Sequence, residues 1–332
     1  MTQFDLIGKA RNAEPYSRGE LLKMLAFPPT SREAGIIMTE AARISREVSH
    51  NQAEIHAQLA LNLAPCPRDC LFCSFAVSND IFRSAVVTAP ADAAVQARQF
   101  ENDGANAVYV MATANFEFGQ FLEASQEIRR ALRPDTVLIA NVGDEVSARA
   151  EELVRAGFQG VYHALRLREG VDTTIAPERR IASIKAFQDA GLAIGTCVEP
   201  IGPEHSNTEL AELILFTAGL EPAFSGAARR IALPGTTLAA RGMISELRMA
   251  QIVAVTRLAM PRSVAGNCSH EPGSVPILGG ANLLWAEVGA NPRDTNARTE
   301  EGRGHSVPAL RRLFAETEWQ TLTGPSRFLT GA

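Results

Sequence analysis

No apolar run among the 332 residues approaches the ~20 that a membrane-spanning helix requires, so an integral helical membrane protein is not expected. Basic clusters are also missing: no run of five or more Lys or Arg occurs, and the formal net charge is -5 with a pI near 5.8. That balance offers no electrostatic case for nucleic acid. The first residues, Met1 to Ala13, are mixed and polar, without the apolar core and small-residue cleavage site expected of a secretory signal. Cysteine is scarce at five residues, and a disulfide framework is not expected, because three crowd together while Cys197 and Cys268 stand apart. The expected setting is a reducing, cytoplasmic one. Low-complexity tracts and strict repeats are absent, and 46% hydrophobic with 21% charged residues is the balance of a globular chain with one large core.

What the sequence does have is concentrated in Cys66-Pro-Arg-Asp-Cys70-Leu-Phe-Cys73, where three of the five cysteines fall within eight residues. Thiolates that close converge on metal, and three ligands leave a [4Fe-4S] cluster with one iron open. A four-cysteine zinc site needs a second nearby pair, and none follows. Spacing alone leaves an open-iron cluster, a structural metal and chance clustering as readings.

The rest of the chain gives the loop its place. Residues 18–49 read as two helices, split at Pro28-Pro29 and restarted at Thr30-Ser31, that cap the main fold. Ile55, Ala57, Leu59, Leu61 and Leu63 then alternate with polar residues at the period of a strand, which runs into Pro65-Cys66. A strand–helix rhythm follows. Helices are expected at 89–103, 121–132, 146–156, 177–190, 208–218 and 245–259, and strands at 108–111, 136–140, 160–164, 192–197, 229–233, 263–266 and 281–288. Glycines after Ala156 and Ala190 mark helix ends. The alternation predicts a parallel α/β fold, a full or nearly closed (β/α)8 barrel rather than an open sheet. The organisation expected is a helical extension over 1–50, the barrel over 51–320 and a tail over 321–332. A last helix, Val307–Glu318, is expected to pack across the barrel, whose lining reads as generic Ala, Gly, Ser and Thr.

The cysteine loop resembles the signature of radical S-adenosylmethionine (SAM) enzymes. The stretch from Ile55 to Phe75 is similar to the opening of their biotin synthase-like branch, with support from Tyr162–Glu169, Ala190–Gly202 and Leu233–Ala239. The resemblance implies a [4Fe-4S] cluster on Cys66, Cys70 and Cys73, with SAM chelating the open iron and cleaved to a 5′-deoxyadenosyl radical. It also implies SAM contacts from Phe72, Met111, Thr113, Asn141, Arg166, Arg168, Glu169 and Ile201, the last with Gly202 as an adenine wall. Arginines after a strand are more often surface residues, so without the loop Arg166 would read as solvated. A flavodoxin- or ferredoxin-type electron donor and a small-molecule or carrier-bound acyl substrate are the implied partners.

The sequence departs from biotin synthase where that enzyme holds an auxiliary cluster. Met111, Ala112, Ile139 and Ala140 stand where relatives carry cysteines, and only Cys197 is positionally similar. Cys197, Cys268 and His270 form a candidate ligand set for a second iron–sulfur cluster or a substrate thiol, against a reading of a buried small residue and a polar loop. Glu199, Glu204 and His205 are candidate acid–base groups, and the same segment reads as an ordinary turn in which His205 or Ser206 caps a helix. The expected chemistry is rearrangement or fragmentation of a small molecule. Sulfur insertion aided by Cys197 and Cys268 is one alternative, and a non-catalytic iron–sulfur carrier or scaffold is another.

Overall fold

The expected alternation closes on itself. The computed structural model describes residues 3–145 and 147–330, and in it eight barrel strands run parallel. They are β1 (Gln52–Ala60), β2 (Ala107–Met111), β3 (Val137–Asn141), β4 (Gly160–Tyr162), β5 in two halves (Ala193–Gly195 and Val198–Ile201), β6 (Phe224–Arg229), β7 (Gly266–Ser269) and β8 (Leu283–Val288). Each pairs with the next, and β8 returns to β1 in register from Glu54↔Leu283 to Leu59↔Val288. Closure leaves no open edge and places every loop after a strand on one face.

Helices α1 (Gln3–Arg11), α2 (Arg18–Ala26) and α3 (Arg32–Val48) precede the barrel. The crossovers are α4 (Pro90–Asp103), α5 (Phe118–Ala131), α6 (Ser147–Arg155), α7 (Pro177–Asp189), α8 (Asn207–Gly219), α9 (Glu246–Ala259), α10 (Ser274–Leu278) and α11 (Val307–Glu316). Of the residues expected in the helix at 146–156, Val146 lies outside the described residues. Local chemistry fixes the ends: Gly104 takes the left-handed conformation after α4 at φ +87°, and Ser206 caps α8 in a capping box with Glu209.

Several elements differ from expectation. The strand expected at 229–233 is Phe224–Arg229, because Ser225, Gly226 and Ala227 are small enough for the crowded β6–β7 contact while Ile231 and Leu233 belong to the loop above it. The strand expected at 263–266 starts only at Gly266. Rather than capping an end, α2 and α3 coat the wall. Leu21, Met24, Ile37 and Ile44 are buried in one cluster with Leu210 and Ile214 of α8 and Ile252 of α9. Helix α11 does not lie across the barrel but is its eighth crossover, with Val307, Leu310 and Phe314 against the strands.

The barrel floor comes from the segment after Thr321. Leu322 N donates to Ala53 O, Ser326 N donates to Asn106 O, and Phe328 and Leu329 enter the barrel interior. In β1 the apolar alternates Ile55, Ala57 and Leu59 face the helices, so the polar alternates Glu54, His56 and Gln58 point inward. Buried Glu54 accepts from the Ser326 hydroxyl and from the amides of Arg327 and Phe328, and it meets His56 Nε2 at 2.8 Å. His56 Nδ1 meets the Tyr109 hydroxyl at 2.8 Å. A polar stripe that would face water on an open sheet here runs up the barrel axis, satisfied layer by layer.

Candidate active site

Beyond β1 the chain folds the cysteine segment into a closed loop. Cys66 N donates to Phe75 O at 2.6 Å, Val77 N returns to Cys66 O at 3.1 Å, and Cys73 N donates to Cys70 O at 2.9 Å. The loop is tied to the segment after β4 by Leu71 N to Asp172 O and Thr174 N to Arg68 O. Cys66, Cys70 and Cys73 are free thiols, and all three line one cavity of about 210 Å³ at the C-terminal end of the strands. Phe75 N is aimed at Cys73 Sγ at 3.3 Å, which favours a thiolate. Burial pushes the Cys70 thiol up to about 11 and the Cys73 thiol higher still. Arg166 opposes both shifts with its positive charge. Three unbridged thiols opening on one cavity, an amide donor on a sulfur and a nearby guanidinium fit a thiolate-held [4Fe-4S] cluster with one iron left open.

The cavity gathers Phe72, Met111, Thr113, Asn141, Arg166 and Glu199 from the loop and four different strand ends. Thr113 is fixed from both sides, its amide donating to Asn62 Oδ1 at 2.9 Å and its hydroxyl accepting from Asn62 Nδ2 at 2.7 Å. Asn141 Nδ2 donates to Gln58 Oε1 at 2.8 Å.

A buried charge network stands behind this wall. The Glu169 carboxylate accepts from the Arg166 amide at 3.1 Å, from Arg180 Nε at 3.2 Å and from the Thr173 hydroxyl at 2.7 Å. Glu169 therefore positions Arg166 and Arg180 and does not itself line the cavity. Arg180 Nη1 sits 3.1 Å from both Asp144 Oδ1 and His163 Nε2. Burial works against the Asp144 charge, but the His163 contact and Arg180 outweigh it and hold the carboxyl at about 2. Burial pulls His163 down to about 4 against the attraction of Asp144, so the ring is neutral at pH 7. Around Arg166, burial is outweighed by Glu199, Glu169 and Cys70, which keep the guanidinium charged. Its ion pair with Glu199 is long, at 3.7 Å.

Five expected site residues lie elsewhere. Arg168 is turned away to Glu209 Oε1 at 2.9 Å and to Glu204 O, because its backbone takes the left-handed conformation at φ +55°. Ile201 points outward into the core shared with Leu210 and Ile214, and Pro200 takes its place on the wall. His205 is buried beside Asp172 and Glu204, with Nδ1 accepting from Gly202 N at 2.8 Å, and Glu204 is paired with Arg230. Ser206 is the helix cap. Cys197 lies below the cavity, wholly buried, with its sulfur against that of Cys268 and 3.3 Å from His270 Nε2.

The generic small-residue lining expected from the sequence is also corrected. Tyr109, Tyr162 and Trp285 line the cavity together with His270, Glu287, Arg229, Arg230 and Arg293. Two of these were within reach of strand periodicity, since Tyr109 shares a face with Met111, and Trp285 with Glu287. Arg180 carries no such signal, because its reach from α7 depends on the turn of the helix against β4.

Comparison with protein-family models finds no match. Sequence comparison does: the chain is 26% identical over 266 residues to biotin synthase from Bordetella avium, covering 75% of this chain and 81% of that one. It is 24% identical over 300 residues to biotin synthase from Mycobacterium leprae, covering 86% and 82%. Among solved structures, methylornithine synthase (PylB) superposes with a TM-score of 0.80 over 98% of both chains at 14% identity. The hydrogenase maturase HydG from Carboxydothermus hydrogenoformans superposes with a TM-score of 0.77 over 96% of this chain and 78% of that one at 16% identity. The structures speak for the barrel and the sequences for the lineage. With the cysteine loop opening on the barrel mouth, they indicate a radical SAM enzyme similar to the biotin synthase-like enzymes.

Proposed function

We propose that this biosynthetic radical SAM enzyme acts on a small anionic molecule, which it rearranges or fragments. The observation that carries the reading is that the three loop thiols and Arg166 open on the same cavity. In this role Cys66, Cys70 and Cys73 hold the cluster. Phe72, Met111, Thr113 and Asn141 form the SAM wall, and Arg166 receives a carboxylate that its long pair with Glu199 leaves it free to meet. The cluster and SAM, when bound, supply a 5′-deoxyadenosyl radical able to take hydrogen from an unactivated carbon. The chain's own part is to bind, orient and keep water out. Tyr109, Tyr162 and Trp285 wall the lower cavity, so that a substrate radical meets few competing groups.

The charge of the wall argues for an anionic substrate. Of the arginines that line the cavity, Arg180, Arg229, Arg230 and Arg293 are held by Asp144 and Glu169, Glu271, Glu204 and Glu287, which leaves Arg68 and the loosely paired Arg166 to meet an anion. Glu199 and Tyr162 are the groups placed to hold or move a proton. Among the described residues no helix is long and apolar enough to cross a membrane. The reading places the enzyme in the cytoplasm with a flavodoxin- or ferredoxin-type donor. Titration of the reduced, iron-reconstituted protein with SAM should yield 5′-deoxyadenosine and methionine and change the cluster spectrum. No deoxyadenosine and no spectral change would leave a carrier or scaffold instead.

A further inference from the structure

Below the cavity, the described residues bring together a second set of soft ligands. Cys197 comes from the break between the halves of β5, Cys268 from β7, and His270 from just past the end of β7. The two Sγ atoms and one imidazole nitrogen lie within 4.8 Å of one another. We infer that Cys197, Cys268 and His270 bind a single soft divalent metal ion, of the zinc class, with its fourth position open toward the substrate cavity. This goes beyond the radical chemistry proposed above and does not rest on it.

Four observations support the assignment. First, the Cα atoms of Cys197 and Cys268 are 7.4 Å apart, beyond the about 4.4–6.8 Å that disulfides span, so the backbone suits a metal between the sulfurs better than a bond joining them. Second, Gly226 on β6, at φ +152°, stands opposite Cys268 in the sheet, and a Cβ there would collide with the backbone and sulfur of Cys268. Only glycine leaves that thiol its place. Third, His270 turns Nε2 toward Cys197 Sγ at 3.3 Å while Nδ1 lies 3.6 Å from the Glu199 carboxylate. A carboxylate behind the far ring nitrogen is what orients a metal-binding imidazole. Fourth, the surroundings are apolar and aromatic, with Trp285 at 4.7 Å and Tyr162 at 5.2 Å from the His270 ring. Two thiolates there need a dication for neutrality, and a dication with two thiolates and a neutral imidazole meets that need. Binding releases one proton from each thiol to solvent, with no change of oxidation state. His270 lines the cavity and the two cysteines lie beneath it, so the remaining coordination position faces substrate.

The test separates this site from the loop. The full chain carrying Cys66→Ala, Cys70→Ala and Cys73→Ala is reduced anaerobically and titrated with Zn2+ and, as a spectroscopic probe, Co2+. One metal per chain is expected, with thiolate-to-cobalt charge-transfer absorption. Adding Cys197→Ser and Cys268→Ser should abolish both, and Glu199→Gln should weaken binding by about 10–100-fold. Three results would overturn the assignment: no metal above the level of the doubly serine-substituted chain, two thiols that titrate only after forcing reduction, or uptake of iron with sulfide in place of one ion. If the triple substitution does not fold, zinc is counted on the unsubstituted chain with its loop cluster reconstituted. One zinc beyond the cluster iron supports the site, and none overturns it. A failed SAM titration leaves the cobalt result intact, and a failed cobalt titration leaves the SAM result intact.

Discussion

The five cysteines form two sets that the chain builds in opposite ways. Cys66, Cys70 and Cys73 sit on one loop, partly exposed, and their spacing is set by a few local hydrogen bonds. Cys197 and Cys268 are separated by 71 residues and wholly buried, and only the packing of β5, β6 and β7 brings them together. The first set can lose a thiol without disturbing the barrel, whereas the second is part of the barrel's own packing. Local loops carry chemistry that can be exchanged, while strand interiors carry chemistry tied to stability.

The most severe test of this contrast is Cys70→Ala. Deoxyadenosine formation should fall to background while unfolding free energy changes by less than about 1 kcal/mol, because the residue is a loop thiol; a large loss of stability on denaturant melts would break the comparison. Arg166→Ala comes next. Equilibrium binding of SAM or of an anionic substrate should weaken by about 2–5 kcal/mol, since the change removes the cation that meets the ligand's carboxylate and leaves Glu199 without it, while Glu169 keeps Arg180.

The buried network behind the loop gives a pH signature of comparable size. His163 takes a proton near 6.5 when unfolded but only near 4 when folded, so the unfolded state binds more protons between those values. Stability is therefore complete above about pH 6.5 and falls by an amount on the order of 3 kcal/mol as pH drops toward 4. Asp144, held at about 2, continues the loss below pH 4. Denaturant melts across that range should show the slope, and His163→Gln should flatten its upper part.

On the buried side of the comparison, Cys268→Ser should cost about 1–3 kcal/mol in a denaturant melt, because a hydroxyl replaces a sulfur in an apolar setting. Its cost should exceed that of Cys70→Ala. The smallest effect expected is that of Ser206→Ala, about 1 kcal/mol of stability from a lost helix cap, with no change in SAM cleavage. A fall in cleavage would give the 204–206 turn a role at the site that its geometry does not show.

Much of this is legible in the sequence. The strand–helix alternation implied a closed barrel because parallel strands need crossovers, and the cysteine spacing marked the loop because its three ligands are neighbours in sequence. Reading failed where a residue's role depends on direction. Arg168 and Ile201 sit in the right segment, but the left-handed backbone at 168 and the strand alternation at 201 turn them away from the cavity. The polar alternates of β1 were visible, yet that they face the barrel axis followed only from closure.

The sequence by itself therefore determined the element order, the barrel class and the cluster loop, because these depend on periodicity and on contacts a few residues long. Tertiary structure alone decided what lines the cavity, what stops the barrel floor and how Cys197 meets Cys268 and His270. Those contacts join residues far apart in the chain, and they are fixed by the stagger of closed strands and by the room that Gly226 leaves between them.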